Sequence, residues 1–262
     1  MKKCIVLGAS SFVGQYLLPL LAEKGIEVQS VGRATPKLYP ADCLISLAPL
    51  WVLPPLFPSL AALGIKRIIA FSSTSRFSKQ ASPEPSEWAI AEKLTAAEQA
   101  MQQQSIPWTL LRPTLIYGDI PECPGKVVGT MLKIIQKFHC FPITGQSPGL
   151  RQPVHASDLA AACWAILNNS TTFNKAYNLS GGEVLSYKQM VERIFLTIGK
   201  NPCVISIPLS LLRVGIQLAR LFPPYRFVNP QMADRAFQDL AFDHSEATRD
   251  FGYSPRGFFP IQ

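Results

Sequence analysis

Clustered charge is what this 262-residue chain most conspicuously lacks. Only 16% of its residues are charged, and no basic run exceeds two residues (Lys2-Lys3, Lys66-Arg67), although the net charge is +8. Nucleic-acid surfaces concentrate Lys and Arg among exposed aromatics, so this scattered excess suits an anionic small molecule better and no nucleic-acid partner is expected. Metal chemistry is equally poorly supplied. The six cysteines (Cys4, Cys43, Cys123, Cys140, Cys163, Cys203) form no Cys-x-x-Cys pair, and the three histidines lack ligand spacing. The cysteines mostly fall inside apolar runs, which reads as buried free thiols in a reducing cytoplasm. No secretory leader is visible, since Met1-Lys2-Lys3 runs straight into an apolar strand pattern. Repeats and low-complexity stretches are also missing. One apolar run, residues 44–65, approaches bilayer length, but Pro49, Pro54, Pro55 and Pro58 interrupt it. A buried strand, a Pro-rich turn and a short helix account for it, and no membrane span is expected.

What is present is apolar material, 48% of the chain, enough for a sizeable core. Residues 3–7 (KCIVL) form a short apolar run ending at Gly8, the pattern of a buried parallel strand. Residues 12–24 carry a helical apolar face (Val13, Leu17, Leu18, Leu20, Leu21) closed by Gly25. Strands are then expected at 26–31, 43–47, 67–71 and 108–112, with a helix over 85–104. Only about a dozen residues separate the second and third strands, too few for a helix and another strand, so one βα unit is missing. The alternation defines an α/β fold: a Rossmann-type doubly wound parallel sheet with a small C-terminal α+β lobe. The sheet domain is expected at 1–118 plus about 151–180, and the small substrate lobe at about 119–150 plus 181–262. Within the lobe, residues 209–221 (SLLRVGIQLARLF is residues 210–222) form a basic amphipathic helix whose apolar face is expected to dock in the lobe rather than on a membrane.

Gly8-Ala9-Ser10-Ser11-Phe12-Val13-Gly14 lies between a strand and a helix, the context in which such a turn cradles a pyrophosphate. Gly8 permits the tight turn, Gly14 lets helix and strand approach, and Ser11 stands where a middle glycine is usual. Ser10, Ser11, Phe12 and Val13 are therefore expected at a dinucleotide. At the end of the second strand, where an NAD site keeps an acid for the ribose hydroxyls, the chain reads Val31-Gly32-Arg33, with Lys37 nearby. A guanidinium suits a 2′-phosphate, so NADP is expected over NAD, which stays open. Residues 1–80 carry nine Lys/Arg against three Asp/Glu, the same sign as this argument requires.

These residues resemble an extended or atypical short-chain dehydrogenase/reductase of the nucleotide-sugar epimerase/dehydratase type, nearly from end to end. Leu44-Ile45-Ser46-Leu47-Ala48-Pro49 is similar to the family's fourth strand, so Leu47, Ala48 and Pro49 are implied at the adenosine side of the cofactor. Phe71-Ser72-Ser73-Thr74-Ser75 places Ser73 where the family keeps its catalytic Ser/Thr, with Thr74 beside it toward the substrate. Leu111-Arg112-Pro113-Thr114-Leu115-Ile116-Tyr117-Gly118 resembles the segment lining the nicotinamide, which implicates Pro113 and Thr114. Gly149-Leu150-Arg151-Gln152-Pro153-Val154-His155 resembles the stretch whose arginine holds the sugar-nucleotide pyrophosphate in UDP-galactose 4-epimerase, so Arg151 is the implied substrate ligand.

The family's Tyr-x-x-x-Lys is not intact. With Lys93 as its lysine, the tyrosine position is Ala89; hung on Glu98-Gln99 instead, the pair becomes Ile90 and Leu94. No tyrosine occurs between Tyr39 and Tyr117. In the family that tyrosine is the general acid/base, so Ser73 and Lys93 are the catalytic residues left to expect. Two functions follow. One is an NADP-dependent epimerase, dehydratase or reductase acting on a nucleotide-linked sugar with a substitute acid, which Arg151 favours. The other is a non-catalytic NAD(P)-binding sensor or assembly protein, as among atypical members such as the complex I accessory subunit. The resemblance also leaves a homodimer and, from some atypical relatives, RNA binding open; the missing basic cluster counts against RNA.

Overall fold

In the computed structural model, residues 1–32, 38–80, 82, 84–120, 122, 124–219, 221 and 237–259 are described. Five strands, β1 (Lys3–Leu7), β2 (Glu27–Val31), β3 (Cys43–Ser46), β4 (Arg67–Phe71) and β5 (Trp108–Pro113), join Lys175–Leu179 in one sheet. The order is Lys175–Leu179, β5, β4, β3, β1, β2, and every pairing is parallel. Among the described residues the sheet ends at β2 on one side of β1, so the expected loss of a βα unit falls at that rim. The chain is an α/β protein with a Rossmann-like sheet, as its alternating pattern predicts.

Both faces of the sheet are covered, and strand alternation decides which residues serve which face. Val6, Ile45, Ile69 and Leu111 pack with Leu17 and Leu21 of α1 (Gly14–Glu23) and with Leu159, Cys163 and Ile166. Ile5, Leu44, Ile68 and Leu110 point the other way, beneath Leu50, Leu53, Leu60 and the helix residues Leu94, Ala97 and Met101. The apolar run at 44–65 resolves into β3, two short 3-10 turns and α2 (Phe57–Leu60). Two further helices belong to this unit before the chain leaves it: α3 (Ser75–Ser78) and α4 (Pro85–Gln102). No described helix is long and apolar enough to cross a membrane.

Contacts divide the chain into two units: Met1–Ile116 with Val154–Ser180 and Phe242–Pro255, and Tyr117–Pro153 with Gly181–Ala241 and Arg256–Gln262. The segment Phe242–Pro255, which sequence placed in the small lobe, belongs to the sheet unit. Its Asp250 carboxylate accepts from Lys175 Nζ at 2.6 Å and from the Tyr177 hydroxyl at 2.8 Å. Those two hydrogen bonds, with that from Arg249, hold the Asp250 carboxyl down to about 2.

The second unit contains α5 (Lys126–Phe138), with Val128, Met131, Leu132 and Ile135 buried. It also holds Tyr187–Thr197, which starts at a capping box between Ser186 and Gln189, and Leu209–Ala219. Here the cysteine expectation needs correcting. Cys140 and Cys203 form a disulfide beside the paired strands Phe141–Ile143 and Val204–Ser206, closing 63 residues of chain. Cys4, Cys43 and Cys163 are free and buried, as expected, and Cys123 lies outside the described residues. Cross-linking a loop of that length restricts the unfolded chain, so reducing the bond should cost about 2–4 kcal/mol of stability. Thermal unfolding with and without reductant checks this. A denatured, non-reduced chain in which all six thiols react would show that the bond does not form.

Candidate functional site

The turn between β1 and α1 is shaped by two positions that only glycine fits. Gly8 has φ +71°, and a Cβ there would lie 2.8 Å from the backbone nitrogen of Ala48. A Cβ on Gly14 would drive into the carbonyl oxygen of Ala9. The turn between them is closed by the Ser11 N–H donating to Gly8 O at 2.8 Å, and by Gly14 N–H donating to Ser11 Oγ at 3.2 Å. Ser11 in the middle position is thus used: its hydroxyl caps the turn at the first residue of α1.

At the carboxyl ends of β1, β3, β4 and β5 lies a cavity of about 350 Å³. It opens where the chain leaves β1 for one side of the sheet and β3 for the other, the switch point at which open α/β sheets take their ligands. Ser11, Phe12 and Val13 line one end, and Leu47, Ala48 and Pro49 line the β3 side. Beyond them lie Ser73, Ile90, Leu94, Pro113 and Ile116. None of the described lining residues is ionisable.

Of the two registers for the Tyr-x-x-x-Lys positions, only one meets this cavity. Ile90 and Leu94 are on its wall, and Ala89 and Lys93 are not. Lys93, expected as a catalytic residue, is exposed, with its ammonium 6.0 Å from the Trp51 ring centroid. Ser73 does line the cavity, and its Oγ accepts from Ser75 N–H at 3.1 Å. Thr74 is buried off the wall, its hydroxyl donating to Pro113 O at 3.2 Å. Ser10 is exposed beside the turn, and Thr114 N–H donates to Leu179 O; neither lines the cavity. Arg33 and Lys37 lie outside the described residues.

Arg151 is buried within the second unit. Its Nη1 donates to Leu150 O and to Gln238 O, both at 2.7 Å, and its guanidinium lies 5.4 Å from the centroid of Tyr187. Burial pulls its pKa down. These partners bind the loop before Leu240 to the Leu150–Arg151 strand. The side chain implied as a substrate ligand therefore has a structural job.

A second group, which sequence reading missed, sits directly behind the cavity wall. Glu98 of α4 is fully buried. It accepts from Ser72 Oγ at 2.5 Å and from Arg112 Nε and Nη2 at 2.9 and 2.6 Å, and it is ion-paired with Arg76. Phe77 lies against both arginines, 5.4 and 5.3 Å from their guanidinium carbons. Burial pushes the Glu98 carboxyl up, but the bonds from Arg112 and Ser72 and the two positive charges outweigh it and hold it below its usual range. The available signal was an acid within the buried stripe Ala91, Leu94, Ala97, Met101.

Comparison with known proteins now has a geometry to attach to. The model of the NAD dependent epimerase/dehydratase family matches residues 55–180. The alpha subcomplex subunit 9 of mitochondrial NADH dehydrogenase from Dictyostelium discoideum is 26% identical over 233 residues, 72% of this chain and 62% of that protein. The chain spans 50%, 62% and 29% of the lengths of three curated relatives it matches. A dTDP-4-dehydrorhamnose reductase from Clostridium acetobutylicum superposes with TM-score 0.74 at 14% identity, over 98% of this chain and 95% of that one. MoeE5 in complex with UDP-glucose and NAD superposes with TM-score 0.70 at 18% identity, over 97% and 93%. The partial family match and the structural likeness agree on the Rossmann-like α/β fold.

Proposed function

We propose that this chain holds a nicotinamide dinucleotide in the sheet-unit cavity and does not run the proton-transfer chemistry of its enzymatic relatives. One observation carries the reading: a cavity that begins at a glycine-formed phosphate turn ends in Ile90, Leu94 and Ile116, with no ionisable group among its described lining residues. The residues fit the cofactor. A Cβ at Gly8 or Gly14 would collide with backbone and open the turn, the N-terminus of α1 favours an anion, and the β3 end offers the flat apolar wall an adenosine needs. Gly8, Ser10, Ser11, Phe12, Val13 and Gly14 would hold the pyrophosphate, Leu47, Ala48 and Pro49 the adenosine side, and Pro113 with Thr114 the nicotinamide side. A bound nicotinamide supplies a hydride donor or acceptor. Moving the accompanying proton takes an acid or base within hydrogen-bond reach, worth ~10²–10⁴ in rate. Ile90 and Leu94 cannot move it, and the Ser73 hydroxyl, which accepts from Ser75 N–H, has no ionisable group beside it among the described lining residues.

The alternative of an enzyme acting on a nucleotide-linked sugar leaned on Arg151 as the pyrophosphate ligand. Its two carbonyl bonds favour the structural role instead. Arg33, by its position after β2, is the proposed ligand of a 2′-phosphate, making NADP(H) the preferred cofactor over NAD(H).

Calorimetric titration and steady-state assays test both halves of this function. NADPH is expected to bind more tightly than NADH, and Arg33→Ala should weaken NADPH on the order of 1–3 kcal/mol while leaving NADH nearly unchanged. No turnover is expected with UDP-glucose, UDP-N-acetylglucosamine or dTDP-glucose. Turnover near ~1 s⁻¹ would overturn the non-catalytic reading, since that is within the ordinary enzyme range. Failure of both cofactors to bind would overturn the site itself.

A further inference from the structure

To a binding site, the two redox forms of a nicotinamide dinucleotide differ chiefly by one charge. The oxidised ring is a pyridinium cation, and the dihydro ring is neutral with nearly the same outline. The wall of the sheet-unit cavity therefore decides which form is held more firmly. Its far end is Ile90, Leu94, Pro113 and Ile116. Its polar lining residues are the serines Ser11, Ser72, Ser73 and Ser75, and no carboxylate is among those described. Withdrawing a cation from water costs free energy unless an anion faces it, and hydroxyls offset only part of that cost.

The charged residues bonded to this wall or stacked on it act in the same direction. One carboxylate stands behind it: Glu98 accepts from the Ser72 hydroxyl at 2.5 Å. It is already committed to two guanidinium groups, Arg112 through Nε and Nη2 and Arg76 through an ion pair. Two cations to one anion leave that cluster positive. On the outer side Lys93 holds its ammonium 6.0 Å from the ring centroid of Trp51, itself a lining residue. Lys93 is exposed and contributes less, but its sign is the same. These surroundings oppose a pyridinium and are indifferent to a neutral dihydropyridine.

We propose that the site holds the reduced dinucleotide in preference to the oxidised one, so that its occupancy reports how reduced the cofactor pool is. The inference rests on the cofactor reading above and adds a redox state to it. Calorimetric titration of the full chain with NADPH, NADP+, NADH and NAD+ tests it, with the comparison made within each pair so that the 2′-phosphate cancels. The reduced form is expected to bind at least about tenfold more tightly, the effect of one unpaired charge in a poorly solvated site. A carboxylate placed on the wall should remove the preference. Ile90→Glu is expected to bring the two forms within about threefold or to favour the oxidised one, whereas Ile90→Gln, polar but uncharged, keeps the reduced preference. Should Ile90→Glu fail to fold, Ser73→Asp supplies the same charge from the end of β4. Equal affinities within a pair, or tighter binding of the oxidised form, would overturn the inference and leave the cofactor site standing. So would a preference that survives a folded carboxylate variant, since the wall's charge would not be its cause. Absence of binding by all four dinucleotides would overturn the site, and the inference with it.

Discussion

Replacing Gly14 with alanine should both unsettle the fold and abolish dinucleotide binding. The added Cβ has no room: it drives into the Ala9 carbonyl, which is backbone and has no rotamer to change. The helix cannot step back either, because Leu17 and Leu21 are fully buried against the sheet. Relief must come from opening the turn, which also moves Ser11, the residue whose hydroxyl receives Gly14 N–H. Overpacking against rigid neighbours costs about 3 kcal/mol, and displacement of the helix start raises this to roughly 3–5 kcal/mol. For a chain of this size that is a fall of about 10 °C or more in Tm. Thermal unfolding and an NADPH titration of the variant check the two effects together. A Tm within about 2 °C of the wild type, with unchanged affinity, would mean that the turn is not packed as described.

Glu98→Ala should be nearly as damaging, for an electrostatic reason. The carboxylate separates the Arg112 and Arg76 guanidinium groups and receives the Ser72 hydroxyl. Its removal leaves two cations facing one another and a buried hydroxyl without its acceptor. Breaking a buried pair from one side costs about 3–5 kcal/mol, and the partial exposure of both arginines brings the expectation to the lower end, about 3 kcal/mol. Glu98→Gln retains hydrogen-bond acceptance and should cost less. Because the folded-state pKa lies below the usual value, the carboxylate's contribution is complete above the unfolded value of about 4.3 and is lost as pH falls through the folded pKa. The wild type's advantage over Glu98→Gln should accordingly narrow as pH falls below about 4. A gap that stays constant down to acid unfolding would contradict an ionised Glu98.

The sheet was legible wherever a strand is buried on both faces, because such strands are short unbroken apolar runs. KCIVL and RIIAF coincide with β1 and β4 to the residue. The shortness of the link before β3 correctly announced the absent βα unit, since chain length alone rules out a helix and a strand there. The tight turn between β1 and α1 was readable because glycine at Gly8 and Gly14 answers a steric demand that sequence carries directly. Side-chain partners were less accessible. Cys140 and Cys203 carry no local sign of one another, being brought together by two distant strands. Arg151 reads identically whether it faces a pyrophosphate or two carbonyls. The Ile90 and Leu94 register was available as one of two, and the rotation of α4 about its axis puts these two residues on the cavity wall.

Loss of the outer βα unit also has a consequence for self-association. Among the described residues β2 is the rim of the sheet, and its outer N–H and C=O groups face no neighbouring strand. Such an edge is a template for pairing with another chain unless something discourages it. In β2 that protection lies within the strand itself: five residues, reading Glu-Val-Gln-Ser-Val, with Glu27 charged at its start and Gln29 accepting from Tyr39 N–H. A sheet with a further strand outside it could leave its second strand hydrophobic, because the outer strand would shield it. Here the rim sequence carries an extra burden as an aggregation gatekeeper, and apolar substitutions at Glu27 or Gln29 are tolerable to the fold yet hazardous to solubility.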